Sequence, residues 1–120
     1  MRELRKIKKV IREYHRLLSY DQQNAKDNKE KYISDIEMLK TFIETYIKTT
    51  ADVFEQWCNV SVEVFESSNN TIFEKLERSI NMRVVNYYLN KLSYQLSKAG
   101  VIQRELEEIE TRFMQYKYFC

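Results

Sequence analysis

Ten positions between residues 32 and 64 recur at alternating intervals of four and three residues, and this repeat constrains the fold more than any other feature. They are Tyr32, Ile36, Leu39, Ile43, Tyr46, Thr50, Val53, Trp57, Val60 and Val64. Such spacing keeps a single face of an α-helix apolar along the whole segment. We therefore predict a long central helix with a coiled-coil-like seam over about residues 28–66.

Two local patterns leave alternatives open within this helix. Thr49 and Thr50 are typical N-cap residues, so a break near residue 49 is one alternative. The alternation of Val60, Val62 and Val64 with polar residues is also typical of a β-strand. Further apolar side chains flank the seam and make it wider than a two-stranded coiled coil requires, so we favour the helix within a bundle.

Helical spacing of apolar residues predicts three further helices, at about residues 2–20, 71–99 and 101–119. The first of them has a regular apolar face, formed by Leu4, Ile7, Ile11, Tyr14 and Leu18. The polar segments 21–31 and 67–70 are predicted connections. Asp27 and Thr71 are each followed three residues later by Glu, which predicts helix N-caps. The predicted fold is an all-α antiparallel helical bundle of about four helices, in a single domain spanning residues 1–120.

The only glycine, Gly100, follows Lys98 and Ala99 and is typical of a helix C-terminus, so we predict a turn there. The alternative is one continuous helix through Gly100, at a cost of about 1 kcal/mol relative to alanine. A turn would fold the last helix back and place Cys120 at the height of Cys58. A disulfide under oxidising conditions is then one hypothesis, beside the simpler interpretation of two unrelated cysteines.

The composition excludes several kinds of chemistry. The chain has no proline, one glycine and one histidine in 120 residues, whereas glycine-rich nucleotide-binding loops need several glycines close together. His15 lies among charged residues on the polar side of the first helix, which predicts a solvated surface imidazole. One histidine cannot supply the paired Glu-x-x-His motifs of a di-iron bundle, and Cys58 has no evident base partner. We therefore predict no enzyme activity, no catalytic residue, no cofactor, no metal site and no small-molecule substrate.

The charge distribution is uneven although the net charge is only +2. Seven Lys and Arg against two Glu give residues 1–16 a charge of +5, which leaves −3 for the rest. The candidate basic contact face consists of Arg5, Lys8, Lys9, Arg12 and Arg16. No apolar stretch approaches the roughly 20 residues of a membrane span, and no apolar run follows the N-terminal charges as in a secretory leader. We therefore expect a cytoplasmic protein without a transmembrane segment.

Aromatic residues make up 13% of the chain, and aromatic side chains are enriched in protein interfaces. The candidate partner-binding residues are Trp57, Tyr87, Tyr88, Met114, Tyr116, Tyr118 and Phe119. The central helix is also longer than the predicted neighbours can cover, and exposed apolar patches usually mark interfaces. Both features favour a protein partner or a homo-oligomer.

The predicted function is a non-enzymatic protein-binding module, a small helical adaptor or inhibitor that docks on a larger protein. The abundance of Lys, Asn, Ile and Tyr is typical of AT-rich genomes, so a phage or mobile-element protein that blocks a host complex is one specific version. Two alternatives stay open. One is a small nucleic-acid-binding protein that uses the basic first helix against phosphates, and the other is a self-assembling structural subunit.

Overall fold

The computed structural model describes residues 2–115, and these residues form four helices and no strand. The helices are α1 (Arg2–Tyr20), α2 (Gln22–Asp27), α3 (Lys29–Phe65) and α4 (Ile72–Gln115). The prediction of an all-α helical bundle is confirmed. Helix α3 runs without interruption through Thr49, Thr50 and the segment 60–64, so the long central helix is confirmed, and neither the break nor the strand occurs.

The helices are distributed over two compact units. The three-helix unit comprises the described parts of residues 1–47 and 98–120, and we name it for its three long helical segments, which are α1, the first half of α3 and the end of α4. It also contains the short helix α2. The hairpin unit comprises residues 48–97, which are the second half of α3, the connection 66–71 and most of α4.

The core of the three-helix unit is built from the heptad-spaced faces of its helices. The buried residues of α1 are those that the sequence predicts: Leu4, Ile7, Ile11, Tyr14 and Leu18. Against them pack Ile36 and Ile43 of α3, together with a face of α4 that repeats every three and four residues: Ala99, Ile102, Leu106, Ile109 and Phe113. Three apolar stripes thus bury one another, which is the packing expected of a helical bundle.

An aromatic cluster joins the three helices of this core. The ring of Tyr14 contacts Tyr32 edge-on at a centroid distance of 5.6 Å and Phe113 at 5.8 Å. Burial raises the pKa of Tyr14 to about 12, and the nearby acidic groups Asp35 and Tyr32 add to this effect. The cause is that a phenolate loses its hydration when it is removed from water.

Two polar contacts connect the helices at the edge of this core. The Nζ of Lys40 lies 3.1 Å from the Oε1 of Glu110, and Arg112 Nη1 lies 3.2 Å from His15 Nδ1. His15 is half-buried, so the prediction of a solvated surface imidazole is wrong, because the end of α4 packs beside α1. Tyr32 lies near Phe113 and Lys40 near Glu110, which makes α3 and α4 antiparallel within this unit.

The predicted turn at Gly100 is wrong, because α4 continues through this residue to Gln115. The glycine does not have a positive φ, and it therefore lacks the left-handed conformation of a helix C-cap. The flanking core residues Ala99 and Ile102 are completely buried. Their tertiary packing holds the helix continuous across its least favourable residue. The predicted helices 71–99 and 101–119 are thus one helix as far as residue 115.

Without this turn, the predicted match in height between Cys120 and Cys58 loses its basis. Cys58 is a half-buried free thiol, and Cys120 lies outside the described residues, so the proposed disulfide stays untested.

The two predicted N-caps have different outcomes. Thr71 Oγ1 accepts a hydrogen bond from the backbone N–H of Glu74 at 3.1 Å, which confirms this N-cap at the start of α4. The cap at Asp27 is wrong, because Asp27 is the last residue of the short helix α2, and Asp21 caps that helix instead. The predicted polar connection 21–31 therefore contains a helix of six residues.

Candidate protein-docking face on α4

The hairpin unit consists of two antiparallel helical segments. Near the connection, the Arg78 guanidinium lies over the Phe65 ring at 4.9 Å from its centroid. Further from the connection, Trp57 of α3 stacks on Tyr88 of α4 with ring centroids 4.6 Å apart. Because each segment has only one helical neighbour within this unit, each can bury only one face there.

Helix α4 turns one apolar face inward in this unit. Val85 is buried and its neighbours on this face are half-buried, and the face repeats at intervals of three and four residues: Met82, Val85, Leu89, Leu92 and Leu96. In residues 48–97, the buried residues are Thr50 and Val85. The hairpin unit therefore has a thin core compared with the three-helix unit.

A second apolar face lies on the opposite side of the same segment of α4. We call this the outer face, and it consists of Phe73, Leu76, Ile80, Val84, Tyr87 and Tyr94. All six side chains are exposed, from 45% for Val84 to 84% for Phe73. Their spacing, at 100° per residue, places them within one stripe along the helix. A single helix in the hairpin thus presents two apolar faces, and only one of them is covered within the unit.

Basic side chains accompany the outer face. Arg83 and Lys91 are exposed, and helical geometry places both within or at the edge of the stripe. The carboxylate of Glu77 lies on the other edge, so cations outnumber anions there. The outer face is therefore apolar along its length and carries an excess of positive charge.

Aromatic side chains continue the exposed surface around α4. Tyr87, on the outer face, contacts Tyr88 edge-on at 5.3 Å, and Tyr88 in turn stacks on Trp57. Tyr87 is 61% exposed and Tyr88 is 39% exposed, whereas Trp57 is half-buried between the helices. Trp57 thus packs under Tyr88, Tyr88 contacts Tyr87, and Tyr87 is the most exposed member of the cluster.

The predicted partner-binding residues do not form a single surface. Trp57, Tyr87 and Tyr88 come together in the hairpin unit, whereas Met114 is exposed on the three-helix unit. Tyr116, Tyr118 and Phe119 lie outside the described residues. The predicted basic contact face lies on α1, where Arg5, Lys9, Arg12 and Arg16 are exposed and Lys8 is half-buried.

Most of the outer face was not predicted from the sequence. Phe73, Leu76, Ile80 and Val84 have helical spacing, which predicts a core face equally well. The available signal was the width of the apolar band, because this segment of α4 carries two stripes on nearly opposite sides. A helix that has one neighbour cannot bury both stripes. The uncovered surface was instead expected on the central helix. In the part of α3 that belongs to the hairpin unit, the exposed large apolar residues are Val62 and Phe65.

Comparisons with protein-family models, curated proteins and solved structures found no match for this chain. Among the described residues, no helix is long and apolar enough to cross a membrane. Residues 2–115 also contain no cluster of three or more His, Cys, Asp or Glu that is arranged to hold a metal ion.

Proposed function

We propose that this protein is a non-enzymatic binding module, an adaptor or inhibitor whose outer face on α4 docks an amphipathic helix of a larger protein. The observation that carries the proposal is the exposed stripe of six apolar side chains on a regular helix. Exposed contiguous apolar surface is characteristic of interaction sites. Apolar side chains at intervals of three and four residues are the surface into which a second helix packs.

The charges at the stripe favour a particular partner helix. Arg83 and Lys91 are exposed beside the apolar side chains, so acidic residues flanking the apolar side of the partner would meet them. Flanking charges of this kind set partner choice and orientation in helix pairs. The preferred occupant is therefore a helix with Leu, Ile or Phe at heptad positions and Glu or Asp beside them.

Aromatic residues at the middle of the stripe supply an anchor. Tyr87 is exposed and held by Tyr88, which is itself held by Trp57. A tyrosine that is already ordered loses little side-chain entropy on binding, and it contributes a large contact area. We expect Tyr87 and Ile80 to contribute the largest share of the binding free energy.

A display library of amphipathic helices tests this function. The library keeps apolar residues at heptad positions and randomises the charges beside them, and the whole protein is the bait. We expect selected helices to be enriched in Glu and Asp at the flanking positions. In the variant Arg83→Glu/Lys91→Glu, the selected helices should carry Lys and Arg instead, because the complementary charge is reversed.

Matched variants separate the outer face from the rest of the helix. Ile80→Glu should abolish capture of the selected helices, whereas Ser93→Glu, at an exposed position off the stripe, should leave it unchanged. For the charge reversal, Lys75→Glu is the corresponding control because Lys75 is exposed on a different side of α4. Equal loss in Ile80→Glu and Ser93→Glu, or selection without any acidic preference, would contradict the proposal.

Light scattering of the pure protein distinguishes the self-assembling alternative. A monomer that captures helices agrees with the adaptor function. A stable dimer that dissociates in Ile80→Glu would show instead that a second copy of this chain covers the outer face, and the protein would be a self-assembling subunit.

A further inference from the structure

The solvent side of α1 carries a continuous stripe of cations. We call it the basic stripe, and it consists of Arg2, Arg5, Lys9, Arg12 and Arg16. All five residues are exposed, and their spacing of three and four residues aligns them along one side of the helix. This side lies opposite the buried residues of α1. Lys8, which the sequence placed in the basic face, is half-buried on a flank of the stripe, and Arg2 takes its place.

Cations outnumber carboxylates on this side of α1. Glu13 lies beside the stripe, one turn from Lys9 and from Arg16, so five cations stand against one neighbouring carboxylate. Five adjacent positive charges repel one another, and a polyanion would relieve this repulsion while releasing its own counterions.

Two features of α1 discriminate between polyanions. Its apolar residues Leu4, Ile7, Ile11 and Leu18 are all in the core of the three-helix unit, so the helix has no free apolar side with which to enter a membrane interface. The stripe itself contains no apolar or aromatic side chain, so it lacks the apolar centre that protein interfaces contain. A surface of Arg and Lys alone is characteristic of contacts to nucleic acid phosphates.

The stripe is long enough to face several phosphates. From residue 2 to residue 16 the helix rises about 21 Å, which is more than half of one duplex turn of roughly 34 Å. Helix α1 contains no Asn or Gln that could read an adenine edge, and the arginines and lysine of the stripe, which can also bond to guanine, are the usual partners of phosphate oxygens. We infer that the basic stripe of α1 binds the phosphate backbone of duplex nucleic acid without sequence preference, as an activity additional to docking on α4.

Salt dependence of DNA binding tests this inference. The whole protein is titrated onto a fluorescently labelled 20-base-pair DNA duplex of mixed sequence between 50 and 200 mM KCl. Five phosphate contacts predict a slope of about −4.5 for log K against log salt, which is a loss of about 500-fold over this range. A second duplex of unrelated sequence should bind with the same affinity within about threefold.

A matched pair of variants locates the binding surface. Arg5→Gln, Lys9→Gln, Arg12→Gln and Arg16→Gln together leave one stripe cation, so the slope should fall to about −0.9. The control changes four exposed lysines outside α1, Lys26, Lys31, Lys48 and Lys75, to Gln. It alters the net charge equally and should keep the slope of the unchanged protein. Circular dichroism verifies that both variants keep their helical content, as expected for Gln, a good helix former.

Three results would overturn the inference. One is a failure of the unchanged protein to bind DNA at 50 mM KCl, and another is an equal loss of affinity in the two variants. The third concerns competition. Phosphatidylserine vesicles or a polyglutamate peptide would displace the labelled duplex as effectively as unlabelled DNA does at the same concentration of negative charge. That result would make the stripe a general anion surface. Because these measurements do not involve the outer face of α4, their failure leaves the proposed docking function unaffected.

Discussion

Trp57 and Tyr88 stack between α3 and α4 with their ring centroids 4.6 Å apart and their planes inclined by 16°. The hairpin unit has few buried residues, so this contact is one of the main interactions between its two helices. It also positions Tyr88 against Tyr87 of the outer face. Packing within the hairpin and the shape of the candidate docking surface are thereby connected through one aromatic pair.

A double-mutant cycle measures this stacking. We expect Trp57→Leu and Tyr88→Leu to lower the free energy of unfolding with a coupling of about 1 kcal/mol, because offset aromatic pairs contribute this much beyond burial. Urea unfolding followed by circular dichroism gives the four values. The control cycle pairs Trp57→Leu with Tyr94→Leu, about 9 Å further along α4, and should be additive within about 0.5 kcal/mol. Equal coupling in both cycles would contradict a specific Trp57–Tyr88 contact.

Replacing Gly100 by alanine should stabilise the protein by about 1 kcal/mol. A Cβ at this position would meet no other atom within 4 Å, the backbone is helical, and alanine loses less conformational entropy than glycine in a helix. The measurement is the shift of the urea midpoint at constant slope. A glycine in a left-handed turn would give the opposite sign, so destabilisation by Gly100→Ala would argue against a continuous α4.

We expect the ion pair between Lys40 and Glu110 to stabilise the folded protein, because the carboxylate of Glu110 is largely buried. The two side chains are 26% and 14% exposed, and Oε2 of Glu110 is buried without a hydrogen-bond partner among the described residues. Lys40→Met would leave the carboxylate without its cation, at a cost of about 2 kcal/mol, less than for a fully buried pair. The free energy of unfolding from urea titration gives the value.

Two further variants complete this test. Lys31→Met, at an exposed position of α3, should change the free energy of unfolding by less than about 0.5 kcal/mol. The double variant Lys40→Met/Glu110→Leu should recover most of the loss, since an apolar pair replaces both charges. If Lys40→Met were as harmless as Lys31→Met, the pair would have no structural role.

The raised pKa of Tyr14 predicts a loss of stability at alkaline pH. The pKa is about 12 in the folded protein, whereas an unperturbed tyrosine has a pKa of 10.0. The corresponding stability is therefore fully present below pH 10 and is lost as the pH rises from 10 to 12. The expected loss is about 2 kcal/mol in the free energy of unfolding, following the linkage between protonation and folding.

The variant Tyr14→Phe isolates this effect from the other tyrosines. Because it has no ionisable group at residue 14, its free energy of unfolding should fall less between pH 10 and pH 12 than that of the unchanged protein. Urea unfolding at several pH values measures both curves. Parallel curves would mean that Tyr14 ionises as easily in the folded protein as in the unfolded chain.

Periodicity in the sequence was sufficient for the helices and for much of one core. The apolar face of α1 is buried residue for residue as its spacing predicts, and α3 follows the repeat from Tyr32 to Val64 without a break. A side chain's position on a helix follows from its residue number alone, because the helical rotation per residue is constant. Local capping at Thr71 was likewise evident from neighbouring residues.

Tertiary structure decided what these helices pack against. Gly100 lies within a helix because Ala99 and Ile102 are buried in a core that residues from distant parts of the chain complete. Phe73, Leu76 and Ile80 have the spacing of core residues, yet they are exposed since α4 has one neighbour in the hairpin unit and that neighbour covers the opposite face. Helical periodicity determines which residues share a face, whereas burial of that face depends on a second surface that the periodicity does not specify.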